Sequence, residues 1–206
     1  MIGSLVLQYA LQSPQVKKVT SVGRSPSNLV HEKLVEVQKA DLANWQGFDL
    51  TDVDVVIFCL GAYTGSIPVE QFKQVTVDYP VALAKALKLS NPNGHFILLS
   101  GQGADRKEKS SISFARFKGM AENQISALEL ANFNSFRPAY IYPVTPRVEP
   151  NFGYRVSRWL YPALKFLGRN FSITSEQLAN AMLQTALNKN STQILENKFI
   201  LESINA

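Results

Sequence analysis

The stretch Val53-Asp54-Val55-Val56-Ile57-Phe58-Cys59-Leu60-Gly61-Ala62 decides the fold. From Val53 to Leu60 it is a nearly continuous run of apolar, largely β-branched residues, the pattern of a strand covered on both faces. A helical stretch follows from Val69 to Leu89, stopped at Ser90-Asn91-Pro92-Asn93-Gly94. His95-Phe96-Ile97-Leu98-Leu99-Ser100 is the next such strand. Ser113 to Leu130 then carries Phe114, Phe117, Ala121, Ile125 and Leu128 at steps of three and four, which predicts a helix. Ser135-Phe136-Arg137-Pro138 reads as a strand entering a loop. Upstream, Ser4 to Gln12 is a helical stretch with Leu5, Val6 and Ala10 on one face, and Lys18 to Val22 and Leu34 to Val37 read as strands. Buried strands alternating with helices of this length predict right-handed βαβ units and an α/β fold with a doubly wound parallel sheet, helices on both faces.

After Pro143 the rhythm changes. Pro143, Pro146 and Pro150 mark a loop, Tyr154 to Phe166 reads as an aromatic and basic helix interrupted by Pro162, Ser175 to Leu187 as a helix, and Lys198 to Glu202 as a last strand. The segment Tyr154 to Pro162 is either a pocket lid or a surface for a membrane or partner. Residues 1–206 read as a single domain, with 143–206 contributing a small substrate-side cap.

Composition narrows the function classes. At 206 residues with 46% apolar and 18% charged, the chain supports one substantial core. The single cysteine, Cys59, excludes an intramolecular disulfide and a multi-cysteine metal site, so a reducing, cytoplasmic setting and no metal are expected. The longest apolar run, Val55 to Leu60, falls far short of the roughly 20 residues of a membrane helix, and Met1 to Gln8 has no basic leader. Neither a membrane contact nor a signal peptide is expected. The net charge of +5, from 21 basic and 16 acidic residues, suits a phosphate-bearing ligand. Its scatter along the chain gives no basic face for nucleic acid.

Gly3 stands in the first turn of the opening helix, where a nucleotide-binding βαβ unit lets backbone N–H groups approach a diphosphate. Met1-Ile2-Gly3-Ser4-Leu5-Val6 resembles the tail of the Gly-Ala-Thr-Gly-x-Ile-Gly segment of atypical short-chain dehydrogenases/reductases, in particular the NmrA-like, Tat-interacting-protein-like group of NAD(P)-binding proteins. The resemblance extends over nearly the whole chain. Arg24 resembles the arginine for an NADP 2′-phosphate, Asp41-Leu42 the adenine-flanking pair, and Leu60-Gly61-Ala62 the glycine turn after the fourth strand. Val77-Asp78-Tyr79-Pro80 resembles the helix segment beneath the cofactor, and Ser100 with Gly103-Ala104-Asp105 the Ser-Ser-x-Gly-Ala-Asp loop. Phe136-Arg137-Pro138-Ala139-Tyr140-Ile141-Tyr142 is similar to the Arg-Pro strand end. The resemblance implies a Rossmann-like domain that binds NADP, or NAD as the other nicotinamide dinucleotide, with Pro138, Tyr140 and Ile141 against the cofactor. It also implies an unknown small-molecule substrate, and leaves room for a protein partner or a homo-oligomer.

Taken alone, the same residues have plainer readings: Gly3 as a packing glycine, Arg24 as a solvated loop charge, Asp41 as a turn residue, Gly61 as a strand-to-loop turn. The resemblance also implies a strand ahead of Gly3, in the middle of the sheet, that this sequence does not show. The expectation is that the native protein begins earlier than Met1, which the intact mass of the native protein checks.

At the catalytic end the family uses a Tyr as proton donor and a Lys four residues later, on the same helical face, to lower its pKa and hold the ribose. The matching segment here is Phe114-Ala115-Arg116-Phe117-Lys118. The lysine is present, and the tyrosine is Phe114, which carries no exchangeable proton. Lys118 and Ser100 are the candidate catalytic residues, Lys118 doubling as a cofactor ligand. Against this, Lys118 reads as a lysine snorkelling from an apolar stripe, Ser100 as a polar strand end followed by Gly101, and Phe114 as core or pocket wall. Tyr63, Tyr140 and Tyr142 follow strand ends and are candidate substitute donors, or pocket lining. His31 and His95 fall in no catalytic pattern, and Cys59 lies within a strand as an inert thiol. The resulting expectation is an NADP-preferring binding protein with weak or undetermined oxidoreductase activity; the alternative is a non-catalytic dinucleotide sensor or interaction scaffold. A sugar epimerase or dehydratase relative is a third reading, and it too normally needs the tyrosine.

Overall fold

The structure is a computed structural model that describes residues 1–144, 171–188 and 193–204. Its elements alternate as the sequence predicts. Helix α1 (Ile2–Gln12) leads into β1 (Val19–Gly23), β2 (Leu34–Gln38) and β3 (Val55–Phe58). A long helical segment follows, built from α2 (Val69–Lys73), a π-helical stretch (Gln74–Asp78) and α3 (Tyr79–Ser90). Then come β4 (His95–Leu99), α4 (Ser113–Ser126), β5 (Asn132–Arg137) and β6 (Tyr140–Tyr142). The described tail holds β7 (Ser172–Thr174), α5 (Ser175–Asn188), β8 (Ile194–Glu196) and α6 (Asn197–Ser203).

Among the described residues all strand pairs are parallel. β3, β4, β5 and β8 form the main sheet in that order, with Phe58 opposite Leu98 and Leu99 opposite Phe136; β1 pairs with β2, and β6 with β7, as separate ladders. Among the described residues no strand joins β1 to β3, the position that the resemblance assigns to a strand ahead of α1.

The two faces of the main sheet show why the chain winds both ways. Successive side chains of a strand point to opposite faces. Val56, Phe58, Phe96 and Leu98 pack with Phe72, Val77, Val81, Leu87, Phe117 and Ile125 of the α2-to-α4 layer. Val55, Ile57, Ile97 and Leu99 pack with Ile2 and Val6 of α1 and with Leu178, Ala181 and Met182 of α5. This is a Rossmann-like α/β fold with helices on both faces of a parallel sheet.

Details of the sequence reading change. The segment Lys198 to Glu202, expected as a strand, is helical: Asn197, Ile200 and Leu201 are buried at a spacing of three and four, and the last strand is β8 just before it. The helix expected to reach Leu130 ends at Ser126, because Glu129 takes a left-handed φ of 52° in the turn that follows. The β6–β7 pair was not foreseen. Within the expected cap, 143–206, the described elements α5, β8 and α6 pack onto the sheet itself. The expected helix Tyr154 to Phe166 lies outside the described residues.

Candidate functional site

The carboxyl ends of β3, β4 and β5 bring together the residues that matter, as the topology of an open parallel sheet requires. α1 enters from Met1 with no side-chain cap and no acidic residue in its first turn. Its first N–H groups therefore have no acceptor within the helix. Gly3 sits directly against the end of β3, where a Cβ on it would stand 3.2 Å from Cys59 Cβ. That is tighter than an ordinary carbon–carbon contact, so a side chain here would require the helix or Cys59 to shift by a few tenths of an ångström. Burial pushes the Cys59 thiol up to about 12, opposed by the nearby α-amino group and Lys118. The thiol is therefore protonated and inert at neutral pH.

Lys118, on α4, is 9% exposed, and its Nζ donates to the Leu99 carbonyl oxygen at 2.8 Å, at the end of β4. Burial lowers its pKa to about 8, against the opposing pull of Glu122 and Cys59. One helical turn on, Glu122 is fully buried and fully used. Its Oε1 accepts from Ser100 Oγ at 2.7 Å, from Ser135 Oγ at 2.8 Å and from Arg137 Nε at 2.9 Å. Its Oε2 accepts from Arg137 Nη2 at 2.5 Å. Arg137 also donates to Glu196 Oε1 at 2.9 Å, in β8. The Glu122 carboxylate on α4 thus ties in Ser100 after β4 and Ser135 and Arg137 of β5, Arg137 extends the network to β8, and both carboxylates hold the guanidinium firmly charged. Such a closed network fixes α4 in register over the strand ends.

Neither Glu122 nor Ser135 stood out in sequence, although Glu122 lies four residues after Lys118 and so on its face of the helix. Ser100 gives its proton to this network. Its backbone N–H donates to the Phe136 carbonyl at 2.8 Å, and that of Gln102 to the Pro138 carbonyl at 2.9 Å, which ties the ends of β4 and β5 together. Pro138 is buried, while Tyr140 and Ile141 are half-buried in β6. The loop after β4 is pressed onto α4: Asp105 N donates to the Ala115 carbonyl at 2.8 Å, and a Cβ at Gly119 would collide with the Asp105 carbonyl. The Asp105 carboxylate caps this loop, accepting from the N–H groups of Lys107, Lys109 and Ser110, which lowers its pKa.

The other candidates occupy different ground. Arg24 is exposed immediately after β1. Asp41 is exposed after β2 and accepts from Ala43 N at 2.8 Å, while Leu42 turns into the core and its carbonyl receives Trp45 Nε1 at 2.8 Å. Leu60 and Ala62 pack against the core beside Gly61, which is exposed with open space around it. Tyr63 and Tyr142 are half-buried. His95 is buried under the sheet, its Nε2 2.6 Å from Asn134 Oδ1, and His31 Nδ1 accepts from Lys33 N. A groove of about 660 Å³ between Trp45, Phe48, Val81 and Lys85 flanks α3, and of the residues matched to the family above only Asp78 lines it. Among the described residues there is no cluster of His, Cys, Asp and Glu that could hold a metal ion, and no helix long and apolar enough to cross a membrane.

Comparison with known proteins places this geometry. No family model matches the chain. It is 24% identical over 192 residues to Protein FMP52, mitochondrial, from Debaryomyces hansenii, covering 90% of this chain and 83% of that one. Among solved structures, the Bordetella bronchiseptica enzyme WbmF in complex with NAD+ superposes with a TM-score of 0.69 at 13% identity, over 99% of this chain and 74% of the enzyme. The WbmH enzyme of the same organism, also in complex with NAD+, gives a TM-score of 0.71 at 16% identity, over 95% of this chain and 71% of that enzyme. The chain therefore shares the fold of NAD-bound enzymes.

Proposed function

We propose that the chain is an NAD(P)-binding protein of the atypical short-chain dehydrogenase/reductase type, NADP-preferring, with weak oxidoreductase activity. The observation that carries this is the uncapped N-terminus of α1, seated by Gly3 against Cys59 at the end of β3, with the Lys118 amine buried nearby. Uncapped N–H groups at a helix N-terminus suit a diphosphate, so the residues fit a dinucleotide. In this reading α1 with Gly3 holds the diphosphate, Arg24 the 2′-phosphate, Asp41 and Leu42 the adenine side, and Lys118 the ribose. Leu60, Gly61 and Ala62 line one edge, and Pro138, Tyr140 and Ile141 the other. When bound, a nicotinamide cofactor supplies hydride chemistry. Ser100 and Lys118 are the chain's own groups for orienting a small-molecule substrate, and a substrate-side cap drawn from 143–206 belongs to the same proposal.

Phe114 favours the second reading, a non-catalytic dinucleotide sensor or interaction scaffold. General acid–base catalysis is typically worth ~10²–10⁴ in rate, and position 114 has no proton to give. The NmrA-like kinship, the single-domain organisation and a cytoplasmic location belong to the same proposal; the mitochondrial name of the relative makes cell fractionation the check on location.

The test is a calorimetric titration with NADPH, with NADH as comparator. Saturable binding with NADPH the tighter ligand is the expected result. No heat with either dinucleotide overturns the reading.

A further inference from the structure

Gly101 follows Ser100 at the end of β4, and Phe114 stands in the first turn of α4. A Cβ built on Gly101 would lie 2.5 Å from Phe114 Cζ, and 3.2 and 3.5 Å from its two Cε atoms. Non-bonded carbons settle at about 3.5–4.0 Å, so the tip of the ring fills the space in which any other side chain at 101 would begin. The para carbon is the nearest ring atom, so the ring points tip-first at the glycine. A hydroxyl on that carbon would be driven into the Gly101 backbone.

We infer that Gly101 and Phe114 are one interlocked pair that holds a hydroxyl-free ring at the end of β4. The glycine admits the ring; the ring in turn excludes a side chain at 101 and a hydroxyl at 114. Around the pair, the Ser100 hydroxyl donates a hydrogen bond to Glu122 and Lys118 Nζ donates one to the Leu99 carbonyl. The side chain set against the glycine is a phenyl ring with no hydroxyl of its own, suited to holding a ligand and not to moving a proton. That functional meaning rests on the dinucleotide reading above; the packing itself does not.

The experiment is a double-substitution cycle on the chain without dinucleotide, read as thermal unfolding. Gly101→Ala in the otherwise unsubstituted chain should lower Tm by roughly 5 °C or more, the scale of an overpacked core in a chain of this size. In a Phe114→Leu background, whose side chain ends short of the para carbon, the same substitution should lower Tm by no more than about 2 °C. If Gly101→Ala alone leaves no folded protein, recovery in the Phe114→Leu background supports the interlock equally. Equal losses in the two backgrounds overturn it, as does a Phe114→Tyr chain as stable as the unsubstituted one. A chain that shows this coupling and binds neither NADPH nor NADH keeps the interlock and loses the cofactor reading, so the two failures are distinguishable.

Discussion

The ends of β4 and β5 and the ends of β1 and β2 are built on opposite principles. At β4 and β5 every polar group named above has a protein partner: Lys118 on the Leu99 carbonyl, Ser100, Ser135 and Arg137 on Glu122, and Arg137 again on Glu196. At β1 and β2, Arg24 and Asp41 are exposed, and the carboxylate of Asp41 serves a local turn. A buried polar network must be completed by the protein itself, because an unpaired group there costs about 1–3 kcal/mol. An exposed charge bears no such cost and is free to meet a ligand. The first region is therefore where substitution should damage the fold, and the second where it should damage recognition.

The sharpest way to break this contrast is Glu122→Ala. It leaves the Arg137 guanidinium, 12% exposed, with Glu196 as its remaining carboxylate, and takes the acceptor from the Ser100 and Ser135 hydroxyls. Removing one partner of a buried ion pair typically costs about 3–5 kcal/mol. Chemical denaturation should show a loss of that order. A loss below about 1 kcal/mol would mean that water reaches the network and that the two regions do not differ in kind.

Lys118→Met should act in the opposite direction and less strongly. The native pKa is lowered from 10.5 to about 8, so between those values the unfolded chain holds a proton that the folded chain has shed. Stability from this group therefore rises with pH across that window and is lost as pH falls through about 8. At pH 7 the ammonium is buried at a cost, and the methionine variant should be more stable by about 1–3 kcal/mol. That advantage should fade towards pH 10.5. Denaturation curves at both ends of the range decide it; a variant less stable at pH 7 would show that the Leu99 bond and the Glu122 charge outweigh burial.

The sequence carried the sheet well and the site unevenly. Val55 to Phe58 and His95 to Leu99 were legible because strands covered on both faces leave long apolar runs. β6 and β7 were not, because three-residue strands leave no periodicity to read. α6 was mistaken for a strand because a seven-residue helix shows only two turns of pattern, and its anchor, Asn197, is held by the distant Ala139 N–H and Ser172 carbonyl. Lys118 was found through resemblance, whereas Glu122 was passed over, since an acidic residue on a helix ordinarily faces water. Only the meeting of α4 with β4, β5 and β8 makes it the centre of the site. The lock between Gly101 and Phe114 was hidden in another way: each residue is legible singly, but 13 positions apart in sequence they acquire a joint meaning only from one distance.

The smallest effect on the fold and the most selective effect on recognition should come from Arg24→Ala. An exposed side chain at a strand end contributes little to stability, so Tm should change by less than about 2 °C. A charge-assisted contact to a phosphate is worth about 1.5–3 kcal/mol, which corresponds to a loss of roughly tenfold or more in NADPH affinity. NADH, which has no 2′-phosphate, should bind the variant and the unsubstituted chain alike. Titration of both chains with both dinucleotides separates the cases. An equal loss for the two cofactors would make Arg24 a general electrostatic contributor, and a change in neither would return it to the solvated loop charge that its exposure alone suggests.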